Sequence, residues 1–576
     1  MKSLQNSCFF PHVFVFLELI MRFRFVFIFF LVVISTLTAT EEESQSFGKM
    51  HSIVFVDDEG KIVKDGKETG IQFVGLELPG TRWARSGLEE DLQSRFLARE
   101  LTLEDLEDLK YRVILYYKEK GSSLVRVMVP EQDVTDGILH IIVKETRVGE
   151  VKTKGNVWSS ARFTRNTVGL KPGDKIDVNE INTDLAFLNR NPFKNTDVIF
   201  TPGQAANTTD IELVTIEEKP ARVYGGVDNR GNKAIGNYRQ FEGFYCGDFL
   251  GLDHVFSYQF TTSLPLKRMH AHAAYYEIPL PYRMSLVGFG GYSSLHTKDF
   301  STFMDNTGIN VQVSGRFHFP MFPWGKAVND FSFGFDYKRT NNNVLFSEIP
   351  IIAKTATLSQ FVLGYQFQDT RRDGWGLFNF ELFISPAKWF TNQNKQDYQL
   401  LSPGALPRYF YFLTSWKKEF QLPHCMRIGL RLKGQYANQN LLPSEQFGLG
   451  GFDTVRGYRE REINGDNGFL GNLEFKAPLI SLFKGKILCS ENVNFNTVNA
   501  KDALLLLAFV DYGFVNRHKK VEDADNTQYI VSIGPGLEYS ISPYFQAAVY
   551  WGIRLKSTQF SSAPGGRINF SVVASF

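Results

Sequence analysis

The sequence predicts two small mixed α/β modules in tandem, followed by a transmembrane antiparallel β-barrel of about sixteen strands. Three observations predict it. Aromatic residues reach 14%, with 53 Phe and 48 Gly, while mean hydropathy is −0.18, too polar for a bundle of membrane helices. A strand–helix–helix–strand–strand order occurs twice, each copy about 75 residues long. From about Pro220 onward, runs of about ten residues alternate apolar and polar, as in a tilted strand with one face to lipid and one to water. The competing class on composition alone is a large soluble β protein.

Residues 1–40 read as a secretory signal peptide. Met21-Arg22-Phe23-Arg24 is basic, 25–34 is apolar, and 35–40 is small and polar, with cleavage near Ala39 or Thr40. Residues 1–20 fit this pattern less well, so Met21 is an alternative start. The apolar core is too short for a spanning helix. The segment 41–70 contains Ile53-Val54-Phe55-Val56 and Lys61-Ile62-Val63 around Asp57-Asp58-Glu59-Gly60, which reads as a hairpin.

The first module covers 71–147. A strand at 71–78 is closed by Pro79-Gly80, and a short helix follows at 88–96. Thr102 opens a second helix with Asp105 as its capping-box partner. Leu106, Leu109, Val113 and Tyr116 form its apolar stripe, and Gly121 stops it. Strands at 124–129 and 138–143 flank a turn-rich connector that carries Gln132 and Asp133. The second module covers 148–220. Its first strand begins at Gly149-Glu150-Val151. A helix capped by Asp177 and Glu180 carries Ile181, Leu185 and Leu188, and Asn191-Pro192 ends it. Strands follow at 198–200 and 211–216.

The barrel covers 221–576. In 309–319, Ile309, Val311, Val313, Gly315, Phe317 and Phe319 share one face, against Asn310, Gln312, Ser314, Arg316 and His318. In 426–436, Met426, Ile428, Leu430, Leu432 and Tyr436 oppose Arg427, Arg431, Lys433 and Gln435. Such lengths exceed those of a usual soluble sandwich strand. The chain ends on an alternating strand closed by Phe576, in the manner of bacterial outer-membrane barrels. The roughly 355 residues from 221 onward, at about twenty per strand and connection, allow about sixteen strands.

Charge and motifs narrow the function. Net charge is +2, which excludes a nucleic-acid binder working by bulk charge. No GxxxxGK[ST] phosphate cradle, no HExxH and no Ser/His/Asp set stands out, so no enzyme, cofactor or metal is expected. His270 and His272 read as a lumen-facing polar pair. Of the four cysteines, Cys8, Cys246, Cys425 and Cys489, Cys246 and Cys425 read as small apolar residues within strands, and no disulfide framework is expected.

Gly450-Gly451-Phe452-Asp453-Thr454-Val455-Arg456-Gly457-Tyr458-Arg459-Glu460 places a fixed cation among glycines between membrane strands. A charge there must find a partner or stay wet. Phe509-Val510-Asp511-Tyr512-Gly513 places an acid inside an apolar strand. The expected arrangement is a loop folded back into a pore, with Arg456 at its tip against Asp511. Val455 and Gly513 stand beside the pair. Gly457 allows a tight turn, and Tyr458 packs on the wall.

Several blocks together resemble the TpsB transporters of two-partner secretion, the haemolysin secretion/activation proteins, which are relatives of the BamA-type insertases. They are 129–137, Leu188-Asn189-Arg190-Asn191-Pro192-Phe193, Thr201-Pro202-Gly203 and Val227-Asp228-Asn229-Arg230-Gly231. Further matches are 247–252, the loop at 450–460, Gly465-Asp466-Asn467-Gly468, Leu473-Glu474-Phe475 and the Asp511 strand. The resemblance implies two periplasmic POTRA domains, a sixteen-stranded barrel in the bacterial outer membrane, and export of an unfolded, TpsA-like exoprotein without ATP. It implies outer-membrane lipid as surroundings and barrel assembly machinery reading Phe576. Exposed module edges, at Val198, Ile199 and Phe200 and near Gln132 and Asp133, would accept cargo as an added strand. Family members often begin with a plug helix, which 41–70 does not resemble, and 484–499 has no evident place. The alternatives are a BamA-type assembly factor or a passive porin.

Overall fold

The computed structural model describes residues 47–576 apart from 63–68, 122–123, 232–235, 265, 267, 299–303, 322–326, 347–348, 372–373, 489–500 and 523–524. The expected signal peptide, Cys8, Cys489 and most of the 484–499 connection lie outside the described residues. The chain divides into two compact units, one ending at Glu145 and one running Thr146–Phe576.

The first unit is a four-stranded sheet in the order Gly70–Val74, Ser52–Val56, Ile138–Glu145, Val125–Met128. The hairpin expected around Ile53 is not formed. Ser52–Val56 is an inner strand, parallel to both of its neighbours. The connection 57–69 is long enough for the crossover that parallel pairing requires. Two helices, Arg82–Phe96 and Leu103–Glu119, cover the sheet. The Thr102–Asp105 capping box forms as expected. Leu92, Leu109 and Val113 are buried against Ile53, Phe55 and Ile141. Gln132 acts as a substitute strand residue: its side chain accepts from the His140 amide at 2.8 Å and donates to the His140 carbonyl at 2.7 Å. Asp133 accepts from the Thr135 amide at 3.0 Å and closes the adjoining turn.

The second unit begins with a three-stranded sheet, Arg147–Lys154, Thr208–Glu217, Lys194–Pro202, which leaves Lys194–Pro202 on an edge. Val178–Leu188 is capped by Asp177 as expected, and Ala161–Val168, capped by Ser160 and ended by Gly169, adds a helix that apolar periodicity did not reveal. The segment after the second helix fastens this module to the barrel. Lys194 donates to both Asp253 oxygens at 2.6 and 2.7 Å, with both side chains buried. The Asn191 amide donates to the Gly247 carbonyl at 2.6 Å. The Phe193 ring lies against the Gly247 backbone and 5.4 Å from the Tyr245 ring, leaving no room for a side chain at 247. Arg190 reaches Asp330 on the barrel wall at 2.6 Å.

The barrel closes among the described residues with sixteen long strands. The ring contains eighteen strands, of which Leu479–Ser481 and Lys486–Leu488 form a short side hairpin, while Asn467–Lys476 pairs directly with Lys501–Asn516. Adjacent strands are antiparallel throughout. Lengths range from eight residues in Ala221–Asp228 to 23 in Ile349–Arg371, well beyond the ten that alternation suggested. The predicted faces hold: Ile309 and Val313 are exposed while Ser314 is buried, and Tyr436 is exposed while Gln435 is buried. Phe576 completes the closing seam by exchanging backbone bonds with Val223 at 2.8 and 2.9 Å.

Two expectations are corrected here. His270 and His272 face outward. They share a sheet face with Phe260, Tyr258 and Tyr292, and Tyr258 bonds His272 at 2.7 Å. The neighbouring Tyr275 and Glu277, on the other face, line the inner cavity. Imidazoles among aromatics suit a lipid–water boundary, where one edge stays wet. Cys425 is disulfide-bonded and sits in the turn Pro423–Cys425 between strands, whereas Cys246 is a free thiol within a strand.

Helix Val178–Leu188 also meets the barrel through Asp184, 3.4 Å from Arg283. Burial pushes the Asp184 carboxyl up to about 7, outweighing the pull of Arg283, and Glu180 adds to the rise. A raised folded-state value means that this contribution is fully present below the ordinary 3.8 and is lost as pH climbs to about 7. Hydrogen exchange across Val178–Leu188 in the full chain, corrected for intrinsic rates, is therefore expected to show weaker protection at pH 8 than at pH 5. Asp184→Asn should abolish that difference; a parent chain with equal protection at both values contradicts it.

Candidate lumenal loop site

Between the strands Arg427–Ala437 and Asn467–Lys476 the chain makes a long excursion into the barrel. Its stem is a two-stranded ribbon, Phe447–Leu449 with Ile463–Gly465. Its tip is held by glycines at positive φ: Gly450 at 105°, Gly451 at 108° and Gly457 at 98°. These are angles that other residues adopt only with strain. At Gly457 the constraint is double, because a side chain would also stand 2.7 Å from the Gly552 carbonyl oxygen of the wall.

That close approach delivers Arg456 to Asp511. The guanidinium grips the carboxylate with both arms, Nε to Oδ2 at 2.8 Å and Nη2 to Oδ1 at 2.7 Å. The Arg456 backbone amide donates to the same Oδ2 at 3.0 Å. The remaining nitrogen, Nη1, donates to Glu474 at 2.8 Å. Arg456 is 4% exposed and Asp511 0%, so neither charge can rely on water. The cation also lies 3.6 Å above the centre of the Phe509 ring, which contributes an attractive face. Asn472 completes the carboxylate shell at 2.8 Å and ties the loop carbonyl of Thr454 at 2.7 Å.

The charges balance across the wall. Glu474 meets Lys476 at 3.5 Å, Lys476 meets Glu419 at 2.9 Å, and Glu419 meets Arg427 at 3.0 Å. Three cations, Arg456, Lys476 and Arg427, thus face three anions, Asp511, Glu474 and Glu419. The pair is one end of a neutral network rather than an isolated contact.

Every expected loop residue is in this site. Val455 and Tyr458 are fully buried with Leu449, Leu470, Val515 and Ile530. Gly513 is compelled by its neighbours, since a side chain there would stand 2.7 Å from Leu449 and 2.9 Å from Val455. The Tyr458 hydroxyl donates to the Lys556 carbonyl at 2.6 Å and accepts from the Lys556 amide at 3.3 Å. Val198, Ile199, Phe200, Gln132 and Asp133 lie in the modules and do not join it. Sequence reading missed Glu474, Asn472 and Arg230. Arg230 pairs with Asp453 at 2.7 Å and lies 4.1 Å from the centre of the Phe452 ring, so the first barrel strand also steadies the tip. Glu474 shares a strand face with Asn472, directly opposite Phe509 and Asp511, a register signal that only strand pairing reveals.

Removing one partner leaves a buried, uncompensated charge, at a cost of roughly 3–5 kcal/mol. Arg456→Ala and Asp511→Ala are each expected to lower the urea midpoint of the detergent-folded barrel, and the double variant to lower it little further. Simple addition of the two losses contradicts the coupling.

The haemolysin secretion/activation protein model, ShlB/FhaC/HecB, matches residues 207–539. The POTRA domain model of ShlB type matches residues 75–146. The heme/hemopexin transporter protein HuxB of Haemophilus influenzae is 21% identical over 461 residues, covering 77% of this chain and 76% of that protein. The outer membrane transporter CdiB of Escherichia coli O6:K15:H31 is 24% identical over 382 residues, covering 64% of this chain and 62% of that protein, less than two thirds of its length. The solved structure of CdiB from Escherichia coli shares the fold, with a TM-score of 0.72 at 17% identity over 94% of this chain and 92% of that one. The chain therefore belongs to the haemolysin secretion/activation family, the TpsB transporters of two-partner secretion, with a β-barrel in the outer membrane and POTRA domains in the periplasm.

Proposed function

We propose that this chain captures an unfolded exoprotein on its periplasmic modules and passes it outward through the barrel, with the Arg456 loop released from the lumen during passage. The observation that carries the reading is the loop itself: a charged, glycine-hinged segment folded into the barrel and held by a defined set of polar contacts. Such contacts can be exchanged one for one with an incoming chain, whereas a covalent or fully apolar plug cannot. The relatives support an exported protein as cargo, since the family secretes and activates haemolysin.

Capture follows from edge chemistry. Lys194–Pro202 has a paired neighbour on one side only, and Ile199 is 47% exposed on it. Backbone amides and carbonyls along such an edge bind an extended peptide with little regard to sequence. Gln132 and Asp133 serve by shaping the first module's connector next to its sheet. No step in this scheme consumes a nucleotide; folding of the cargo outside the cell supplies the direction. The module is fastened to the barrel rim by the Lys194–Asp253 pair, so a captured chain is held beside the mouth.

A second reading, an assembly factor that inserts other barrels and reads their terminal aromatic as this chain's own Phe576 would be read, has one observation in its favour. The closing seam between Ala221–Asp228 and Gly565–Ser575 has five paired positions within the strands, extended by the Val223–Phe576 exchange, against eight or more at the neighbouring junctions. Recovery of bound chains from cells separates the two: one large secreted protein supports export, and many barrel proteins support insertion.

Val198→Pro, at a position whose N–H faces away from the paired neighbour, should cut export of the cognate exoprotein several-fold while leaving barrel assembly intact, measured as exoprotein in the medium against folded barrel in the membrane. Unchanged export counts against this edge as the capture site.

A further inference from the structure

The loop carries a second buried charge that the Arg456 contact does not explain. Glu445 precedes the stem ribbon, eleven residues before Arg456, and its side chain is 1% exposed. Three donors converge on it: Lys338 Nζ at 3.0 Å, Gln360 Nε2 at 2.8 Å and the Tyr411 hydroxyl at 2.8 Å. The donors stand on three different barrel strands, Val328–Phe346, Ile349–Arg371 and Tyr409–Gln421. Gln435 fixes the backbone, donating to the Glu445 carbonyl at 3.0 Å. Immediately before it in the chain, Leu441 and Leu442 are buried with Tyr398, Leu358 and Phe383 in a small apolar cap.

This constellation is the electrostatic inverse of the first. At the tip, a cation on the loop meets anions on the wall; at the base, an anion on the loop meets a cation on the wall. The two sets share no side chain, and the direct partners stand on different strands: Arg456 engages Asn467–Lys476 and Lys501–Asn516, and neither holds a Glu445 donor. Distinct partners on distinct strands make independent energies.

We propose that Glu445 is a positioning residue for transport: a second latch that holds the base of the loop to a different set of wall strands, released separately from Arg456. This rests on the secretion reading only in taking pore opening as release of the loop. A carboxylate this deeply buried stays in place because Lys338 neutralises it through both oxygens and the two neutral donors add to Oε2; an amide at the same position would lose the ion pair and set its own donor groups against Lys338 and Gln360.

The test is the conductance of the purified full chain in planar bilayers, in potassium chloride and without cargo. Glu445→Gln should raise the open fraction several-fold with Arg456 intact, and Lys338→Met should do the same. The exchanged pair Lys338→Glu with Glu445→Lys should return closure towards the parent. Combined with Arg456→Ala, Glu445→Gln should multiply the two increases. A Glu445→Gln pore as closed as the parent, in a barrel shown folded by its heat-modifiable migration, overturns the proposal. So does a combined variant no more open than Arg456→Ala alone. Because no cargo is present, these outcomes are independent of whether the exoprotein reading holds.

Discussion

A guanidinium with almost no access to water sets the terms for the rest of this molecule. Arg456 is buried in the lumen, and a buried cation is tolerated only where every nitrogen is answered. Asp511 answers two of them, Glu474 a third, and the Phe509 ring covers the face. The constraint propagates outward. Gly457 must turn at positive φ against Gly552, and Gly513 must stay bare to admit Val455 and Leu449. Tyr458 must find backbone partners on the facing strand end. The glycines of the loop and of the wall are two halves of one steric fit.

The same physics recurs where the second module meets the rim. Lys194 and Asp253 are both buried and joined by two short bonds, with Asn191 and Phe193 packed around them. The matched run from Leu188 to Phe193 thus describes a joint as well as the helix end. Arg190 reaches past the joint to Asp330, next to the cavity that Tyr275, Glu277 and His318 line. The second module is therefore fixed to the barrel by charge pairs, while the far part of its edge strand, with Ile199, stays exposed.

Local signals made much of this legible from sequence. Thr102 and Asp105 are three residues apart, and their capping box needs nothing else; the same holds for Asp177. Alternation in 309–319 and 426–436 divided those strands into the two faces that the barrel shows. Arg456 and Asp511 were legible as a pair because each is anomalous for its surroundings. What escaped the reading depends on partners distant in sequence. Alternation at His270 and His272 gives two faces without saying which is inward, and aromatic neighbours on adjoining strands decide it. Ser52–Val56 looks like half of a hairpin until a crossover brings it between two parallel strands. Glu474 and Glu445 are ordinary acids in sequence and become partners of lumenal cations only through the register of the ring and the path of the loop. The bonded state of Cys425 likewise has no local signature.

The central claim is that the loop tip occupies the lumen at rest and leaves it for export. Arg230 and Asp453 offer a direct test, because they join the first barrel strand's end to the loop tip at 2.7 Å and both side chains are partly exposed. Paired Arg230→Cys and Asp453→Cys substitutions, bridged by a short thiol cross-linker with an internal disulfide, should stop export of the exoprotein, with export restored by mild reduction that leaves the parent chain's own export unchanged. Export that continues at the parent rate with the link fully formed contradicts the account.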